Sequence, residues 1–386
     1  MQRWMENKNG VPPQPCEYTF NCGVESEAAG RSLTKGFVAL RKDLAALPLL
    51  LATSSDVVRA PPQRAEFLAQ LGEAGLVDLP TFQLEETPTI ALASRPFGVI
   101  GDHLRRSNVA KYREDVALCR SLDEARDAAE RFGPRFVMKA EYSSSGLGVL
   151  VCDGGAAALR NPSVPAARWV ANRLRQDGVF TLEPWLDIIV ELSGEFLEGQ
   201  WNGVSQCMVE HCRWQGQWLG PPGERLDREV HDFIYTQRAV ETKLRSLNLV
   251  ATCGVATCGA DVAIVRREDT GALDVRVLEV NARTTMSHYA LAAKRRVPRA
   301  RTFEVLQLSE LAARAAEPGA ELVYLTDPTT ASMFCAVLDC RNTTLEEDVS
   351  TTLLGAPTDD EATATAELAL SQCGTGGGGG ESAEQL

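Results

Sequence analysis

The stretch Val275-Arg-Val-Leu-Glu-Val-Asn-Ala-Arg283 decides how this chain folds. Val275, Val277 and Val280 surround Leu278 with no turn residue among them, which predicts a β-strand. Side chains alternate across a strand, so Glu279, Asn281 and Arg283 are expected to share one face near its end. Magnesium takes carboxylate and carbonyl oxygens, and a phosphate takes an arginine fork, so this row suits phosphate chemistry. A half-solvated edge strand with a polar end would carry the same pattern. The choice between them falls to the sequence on either side.

Upstream, Asp261–Val265 reads as a second strand. Glu268-Asp-Thr-Gly271 joins the two as a turn, its glycine placed to take a left-handed conformation. In an antiparallel hairpin centred on Thr270, Asp261 and Glu279 are equidistant from the turn and face each other. Two opposed carboxylates repel unless something neutralises them. A divalent cation does so, with Asn281 adding a neutral oxygen ligand.

Two further elements lie earlier in the chain. Lys139 sits on a strand over Phe136–Glu141, followed by Ser143-Ser-Ser-Gly-Leu-Gly148 and a strand over Val149–Cys152. Small residues let backbone amides approach phosphate oxygens, and lysine supplies a point charge. No Gly-Lys-Ser/Thr follows, so this is not a Walker loop, and a plain hairpin turn would look alike. Glu183-Pro-Trp-Leu186 connects a strand over Val179–Glu183 to one over Ile188–Phe196 that carries Glu191. Such a connector could present backbone groups to a base, or be a turn with exposed glutamates.

In this order, the lysine strand with its Ser/Gly loop, the Glu-x-x-Leu connector and the Asp hairpin ending Glu-x-Asn-x-Arg resemble the ATP-grasp superfamily. The resemblance covers roughly residues 100–312. It implies an α+β fold of two α+β lobes gripping ATP, preceded by a small Rossmann-like α/β domain. The expected division is 1–100 for that domain, with 1–35 unassigned, 101–182 for the small lobe and 183–340 for the large lobe. By resemblance, Lys139 binds the α/β-phosphates, and the loop with Ser143, Ser144, Ser145, Gly146 and Gly148 covers the β/γ end. Glu183 and the backbone near Leu186 hold adenine, and Glu191 the ribose. Asp261, Glu279 and Asn281 bind one or two magnesium ions, for which manganese could substitute. Arg283 steadies the transferred phosphate or acyl-phosphate. An earlier basic residue is matched best by Lys111, with Arg106 competing. Ala282 stands where the family often has proline, and the Gln200–Pro222 run with three tryptophans matches no substrate motif.

The implied activity is an ATP-dependent carboxylate–amine (or thiol) ligase acting through an acyl-phosphate on small molecules, with room for a homodimer. A nucleotide-binding regulatory module and a small-molecule phosphotransferase are the competing readings. His288, past Arg283, either contacts substrate or packs beside Tyr289, and Thr284, Thr285 and Ser287 are candidates to cap the helix there.

Composition narrows the partners. At 386 residues the chain can hold two or three cores, and 44% hydrophobic with 24% charged residues is ordinary for a globular protein. From Arg341 onward one basic residue faces nine acidic ones, so most of the formal charge of −13 lies in an acidic, Gly-rich tail, 341–386, expected to be disordered. The remainder has no basic field for nucleic acid. No membrane span or secretory signal is expected, since the longest apolar run, Leu44–Ala52, is short and holds Pro48; a cytoplasmic protein follows. Eleven cysteines include no two-residue knuckle spacing, so buried free thiols are expected.

The remaining elements read as follows. Leu49–Thr53 is a buried strand, Pro61-Pro62 opens a helix, and Leu79–Leu84 is a strand. No G-x-G-x-x-G accompanies them, which argues against a dinucleotide site. Ser121-Leu-Asp-Glu124 is a capping box opening a helix. Helices are expected over Pro165–Arg175, Arg225–Leu247, Ser287–Arg295 and Thr302–Ala316.

Overall fold

The computed structural model describes residues 16–20, 22–83, 105–142, 148–161 and 164–341. The expected tail beyond 341 and the loop residues Ser143, Ser144, Ser145 and Gly146 lie outside the described residues. The architecture is α+β, with three sheets taken in chain order. Strands β1 (Glu17–Tyr18), β2 (Val57–Arg59) and β3 (Thr81–Gln83) form a small parallel sheet, with the helix Ala65–Glu73 crossing between β2 and β3. The apolar run that reads as a strand at Leu49–Thr53 is instead a buried 3-10 turn, Leu47–Leu50. Pro48 has no N–H for a ladder, and a run buried on every side carries no period to tell strand from helix.

The second sheet holds β4 (Ala117–Cys119), β5 (Arg135–Ala140), β6 (Val149–Asp153) and β7 (Phe180–Pro184), antiparallel in the order β4-β7-β5-β6. Helices Leu122–Phe132 and Pro165–Asp177 contribute Ala125, Ala128 and Val170 to a core with Phe136, Met138, Phe180 and Leu182 from this sheet. Ser121 caps the first helix by accepting from the Glu124 amide at 3.1 Å. The Glu124 carboxylate returns to the Arg120 amide, one residue before the expected one.

The third sheet holds β8 (Ile188–Leu197), β9 (Gln200–Glu210), β10 (Arg213–Trp218), β11 (Cys258–Arg266), β12 (Leu273–Asn281), β13 (Thr302–Gln307), β14 (Leu322–Tyr324) and β15 (Phe334–Asp339). Its order is β12-β11-β8-β9-β10-β13-β15-β14, antiparallel at every joint. Leu192, Ala260, Val262, Ile264 and Val277 bury one end of it against Val230, Ile234, Val240 and Leu244. Its other end shares a core with the first sheet, where Phe303 and Leu338 meet Phe20, Leu47, Phe67 and Tyr289.

Two expected helices are corrected. Arg225–Leu247 is broken: Arg228–His231 runs into a wider π-type turn, Asp232–Thr236, and a new helix, Ala239–Ser246, starts after Arg238 at φ 54°. The apolar residues stay in one core across the break, so their spacing hides it. Thr302–Ala316 opens as strand β13, with helix only over Leu308–Ala315. Among the described cysteines, all free, Cys16 and Cys212 are exposed while Cys119, Cys152, Cys253, Cys258, Cys335 and Cys340 are buried. No helix among the described residues is long and apolar enough to cross a membrane.

Candidate active site

The β11–β12 hairpin pairs Asp261 with Glu279 and Gly259 with Asn281, but the register shifts between Asp261 and Val262, which faces Val277. Leu278 is therefore the extra residue of a β-bulge. Counted from the turn alone, this hairpin would not set Asp261 against Glu279; the bulge does. On its other side β11 pairs with β8, placing Ser193 beside Asp261 and Glu195 beside Gly259. Ser193, Asp261 and Glu279 thus form a row across three strands, with Glu195, Gly259 and Asn281 in the next row.

Asp261 accepts from Ser193 Oγ at 2.8 Å and from Asn281 Nδ2 at 3.3 Å. Burial, and then the charge of Glu279, push its pKa up to about 7, with Glu195 and Glu191 adding and Ser193 opposing. Burial also raises Glu191, against the pull of Lys139. No three His, Cys, Asp or Glu side chains converge as a metal cluster among the described residues. Two carboxylates and an amide could hold magnesium all the same, since that ion commonly takes one or two carboxylates and fills its shell with substrate phosphates and water.

The second sheet faces this row. Along β5, Phe136, Met138 and Ala140 are buried while Lys139 turns to the opposite face. Its Nζ lies 2.9 Å from Glu183 and 3.5 Å from the Leu278 carbonyl at the bulge. Arg113, buried, donates to Glu183 at 2.7 Å and to the Val277 carbonyl at 3.3 Å, and also pairs with Asp115. Glu183 therefore faces two cations. Arg106, at the start of a 3-10 turn running to Lys111, donates to Glu279 at 2.8 Å. Lys111 is exposed at the end of that turn, so Arg106 is the residue that reaches the carboxylate row. Trp185 in the connector after β7 and Ile188 and Ile189 at the start of β8 are exposed, three of the six exposed large apolar side chains among the described residues, with Arg135 stacked 3.8 Å from the Trp185 ring centre and Leu186 half-buried. Such a patch could take a flat ring. Gly148 closes the loop with φ 76°, its carbonyl accepting from the Ala140 amide.

Arg283 stands apart from the expectation that it faces phosphate. Its guanidinium pairs with Glu25 on the short helix Val24–Ala28, at 2.6 Å from Nε, and donates to the Thr284 carbonyl. Burial opposes the charge, but Glu25 more than compensates and raises the Arg283 pKa. His288 is fully buried one turn into helix Met286–Arg296, which Thr285 caps.

Arg113, Ser193, Glu195 and Glu25 were not legible as site residues. Ser193 and Glu195 did carry a signal, as alternate positions after Glu191 on one strand face. Glu25 had none, because it comes from an N-terminal stretch without periodicity.

The fold and the site together define an α+β protein in which a lysine-bearing four-stranded sheet faces a carboxylate row on a larger antiparallel sheet. No family model matches this chain, and no curated protein matches it. Among solved structures it is similar to an N5-carboxyaminoimidazole synthetase from Staphylococcus aureus complexed with ADP (10% identity, TM-score 0.44, 92% of this chain and 96% of that one). It is also similar to an N5-carboxyaminoimidazole ribonucleotide synthetase from Thermus thermophilus (12%, 0.45, 84% and 93%). A third is the biotin carboxylase domain of a 2-oxoglutarate carboxylase from Hydrogenobacter thermophilus (11%, 0.43, 85% and 86%). All three likenesses are distant.

Proposed function

We propose that this chain is an ATP-grasp ligase of the cytoplasm that uses ATP and magnesium to activate a small-molecule carboxylate, which an amine or thiol then attacks. Residues 101–182 would form the smaller lobe and 183–340 the larger, after a 1–100 domain. The observation that carries the reading is the bulge at Leu278. It sets Asp261 against Glu279 and turns the Val277 and Leu278 carbonyls toward Arg113 and Lys139 of the opposite lobe.

In this reading Lys139 leaves Glu183 for the α/β-phosphates, and the loop ending at Gly148 covers the β/γ end. Glu183 and the backbone near Leu186 take the adenine, beside the exposed Trp185, and Glu191 the ribose. Asp261, Glu279 and Asn281 hold magnesium, which neutralises phosphate charge. A substrate carboxylate oxygen attacks the γ-phosphorus; an acyl-phosphate forms and ADP leaves. The nucleophile then displaces phosphate. The protein's own share is positioning and charge, from Lys139, Arg106 and Arg283.

The test is a screen of amino acids and small carboxylates for magnesium-dependent ADP release, with hydroxylamine present to trap the acyl-phosphate. The expected product is a hydroxamate with at least one acid. ADP release with a phosphorylated product and no hydroxamate would replace ligation by phosphotransfer. One observation favours the reading of a nucleotide-binding module without catalysis: Arg283 is already answered by Glu25. Nucleotide binding without any ADP release would select that reading. Glu279→Gln is expected to abolish turnover while circular dichroism stays unchanged.

A further inference from the structure

Glu195 is a carboxylate with no exposed surface, placed one strand row from Asp261. The chain makes room for it: a Cβ on Gly259, across the β8–β11 ladder, would lie 1.9 Å from Glu195 Oε2. A buried charge is costly unless it is paired and hydrogen-bonded, so its partners show what it is held for. Oε1 accepts from Ser193 Oγ at 2.7 Å and from Thr285 Oγ1 at 2.8 Å. Oε2 lies 2.9 Å from His288 Nδ1, on a ring that is itself fully buried.

The proton count on this cluster is constrained. His288 Nε2 lies 3.0 Å from the Phe196 carbonyl, which only accepts, so Nε2 carries a hydrogen. Nδ1 faces both Oε2 at 2.9 Å and the Thr285 amide at 3.1 Å, which only donates, so the ring nitrogen either accepts from that amide or donates to the carboxylate. Glu195 Oε2 packs against the His288 ring, and its other oxygen anchors two hydroxyls. Burial depresses the His288 pKa, but the charge and hydrogen bond of Glu195 more than offset this and raise it. Ser193 has one hydroxyl hydrogen between two carboxylate oxygens, Glu195 Oε1 at 2.7 Å and Asp261 Oδ1 at 2.8 Å. Its oxygen is pinned between them whichever accepts.

We propose that Glu195, clamped by His288 and Thr285, is a positioning residue that fixes the Asp261 carboxylate through Ser193 for cation binding. The inference rests on the reading of Asp261 and Glu279 as the metal carboxylates. Outer partners of this kind hold a ligand's rotamer, and losing one typically weakens metal affinity about 10- to 100-fold.

The experiment titrates Mn2+ into the full chain with ADP present, followed by water-proton relaxation, alongside near-ultraviolet circular dichroism and thermal melting. Ser193→Ala removes the link and leaves the Glu195–His288–Thr285 cluster whole. Glu195→Gln keeps the shape and removes the charge. Each is expected to weaken Mn2+ binding about 10-fold or more, at unchanged near-ultraviolet signal for Ser193→Ala. A purely structural role would lower the melting temperature and leave Mn2+ affinity within about twofold of the parent, and that result overturns the inference. Should Glu195→Gln fail to fold, Ser193→Ala decides alone. Asp261→Asn and Glu279→Gln separate the two levels. If they lose Mn2+ while Ser193→Ala keeps it, only the positioning role falls. If they too bind Mn2+ like the parent, the metal reading falls with it.

Discussion

The two sheets that meet at Lys139 and the Leu278 bulge form two walls that treat their carboxylates differently. On the four-stranded sheet Glu183 is met by Lys139 and Arg113, and the buried Glu141 by Ser107 Oγ at 2.6 Å and the Ser107 amide at 3.1 Å, with Arg105 3.9 Å away. On the eight-stranded sheet Asp261 has, among the described residues, a hydroxyl and an amide as hydrogen-bond partners, with Glu279, Glu195 and Glu191 nearby. Arg106 answers Glu279 and His288 lies against Glu195, so the negative charge that gathers where a cation is wanted is centred on Asp261. The first wall has its carboxylates answered at rest, and the Asp261 row is the candidate cation site.

The largest effect tests the Asp261 row. Asp261 has its pKa raised to about 7 in the folded chain, above its ordinary value of 3.8. The proton it binds contributes stability fully below that ordinary value, and this is lost as pH rises through about 7. The metal-free protein should therefore lose stability between about pH 4 and 7. Asp261→Asn should remove that loss, gaining on the order of 2 kcal/mol over the parent at pH 8, and at the same time abolish ATP turnover. Denaturant unfolding at pH 5 and pH 8 without and with Mg2+ checks it. A parent whose stability is flat across this range would mean that no negative charge gathers at Asp261.

Next is the first wall. Arg113→Met strips one cation from the buried Glu183 and leaves Asp115 without its bidentate partner. Breaking a buried pair from one side costs about 3–5 kcal/mol, and with Lys139 still in place the lower end is expected, read from urea unfolding. A loss below about 1 kcal/mol would place Arg113 among the surface pairs that contribute little.

How much of this was visible in the sequence follows from the same contrast. The central hairpin was legible because valines alternate on β12 and polar residues interrupt them, and a period of two survives without any tertiary knowledge. Even there the right pairing of Asp261 with Glu279 came through a bulge that no residue type announces, since Leu278 is as apolar as its neighbours. Lys139 was legible as the lone charge between Met138 and Ala140. Arg113 and Glu25 were not, because an arginine in a loop and a glutamate in a short helix look like surface until a distant carboxylate or guanidinium is brought to them. The break at Arg238 stayed hidden for another reason: burial of Val230, Ile234, Val240 and Leu244 in one core mimics a continuous stripe.

The smallest effect concerns Arg283, which belongs to neither wall. Its partner Glu25 is buried, and Glu279 also holds its charge in place from the site side. Glu25→Gln keeps an acceptor for the guanidinium but removes the charge, so the expected loss of stability is about 1 kcal/mol. The informative readout is anion binding. If Glu25 occupies the place of a substrate anion on Arg283, the variant binds inorganic phosphate or ADP more tightly than the parent, since the guanidinium no longer has a competing carboxylate. Calorimetric titration of phosphate into both proteins measures this directly. Equal affinities would assign the Arg283–Glu25 pair to the resting structure, alongside Arg113 and Glu183. Lys139 and Arg106 would then be left as the cations that meet the phosphates.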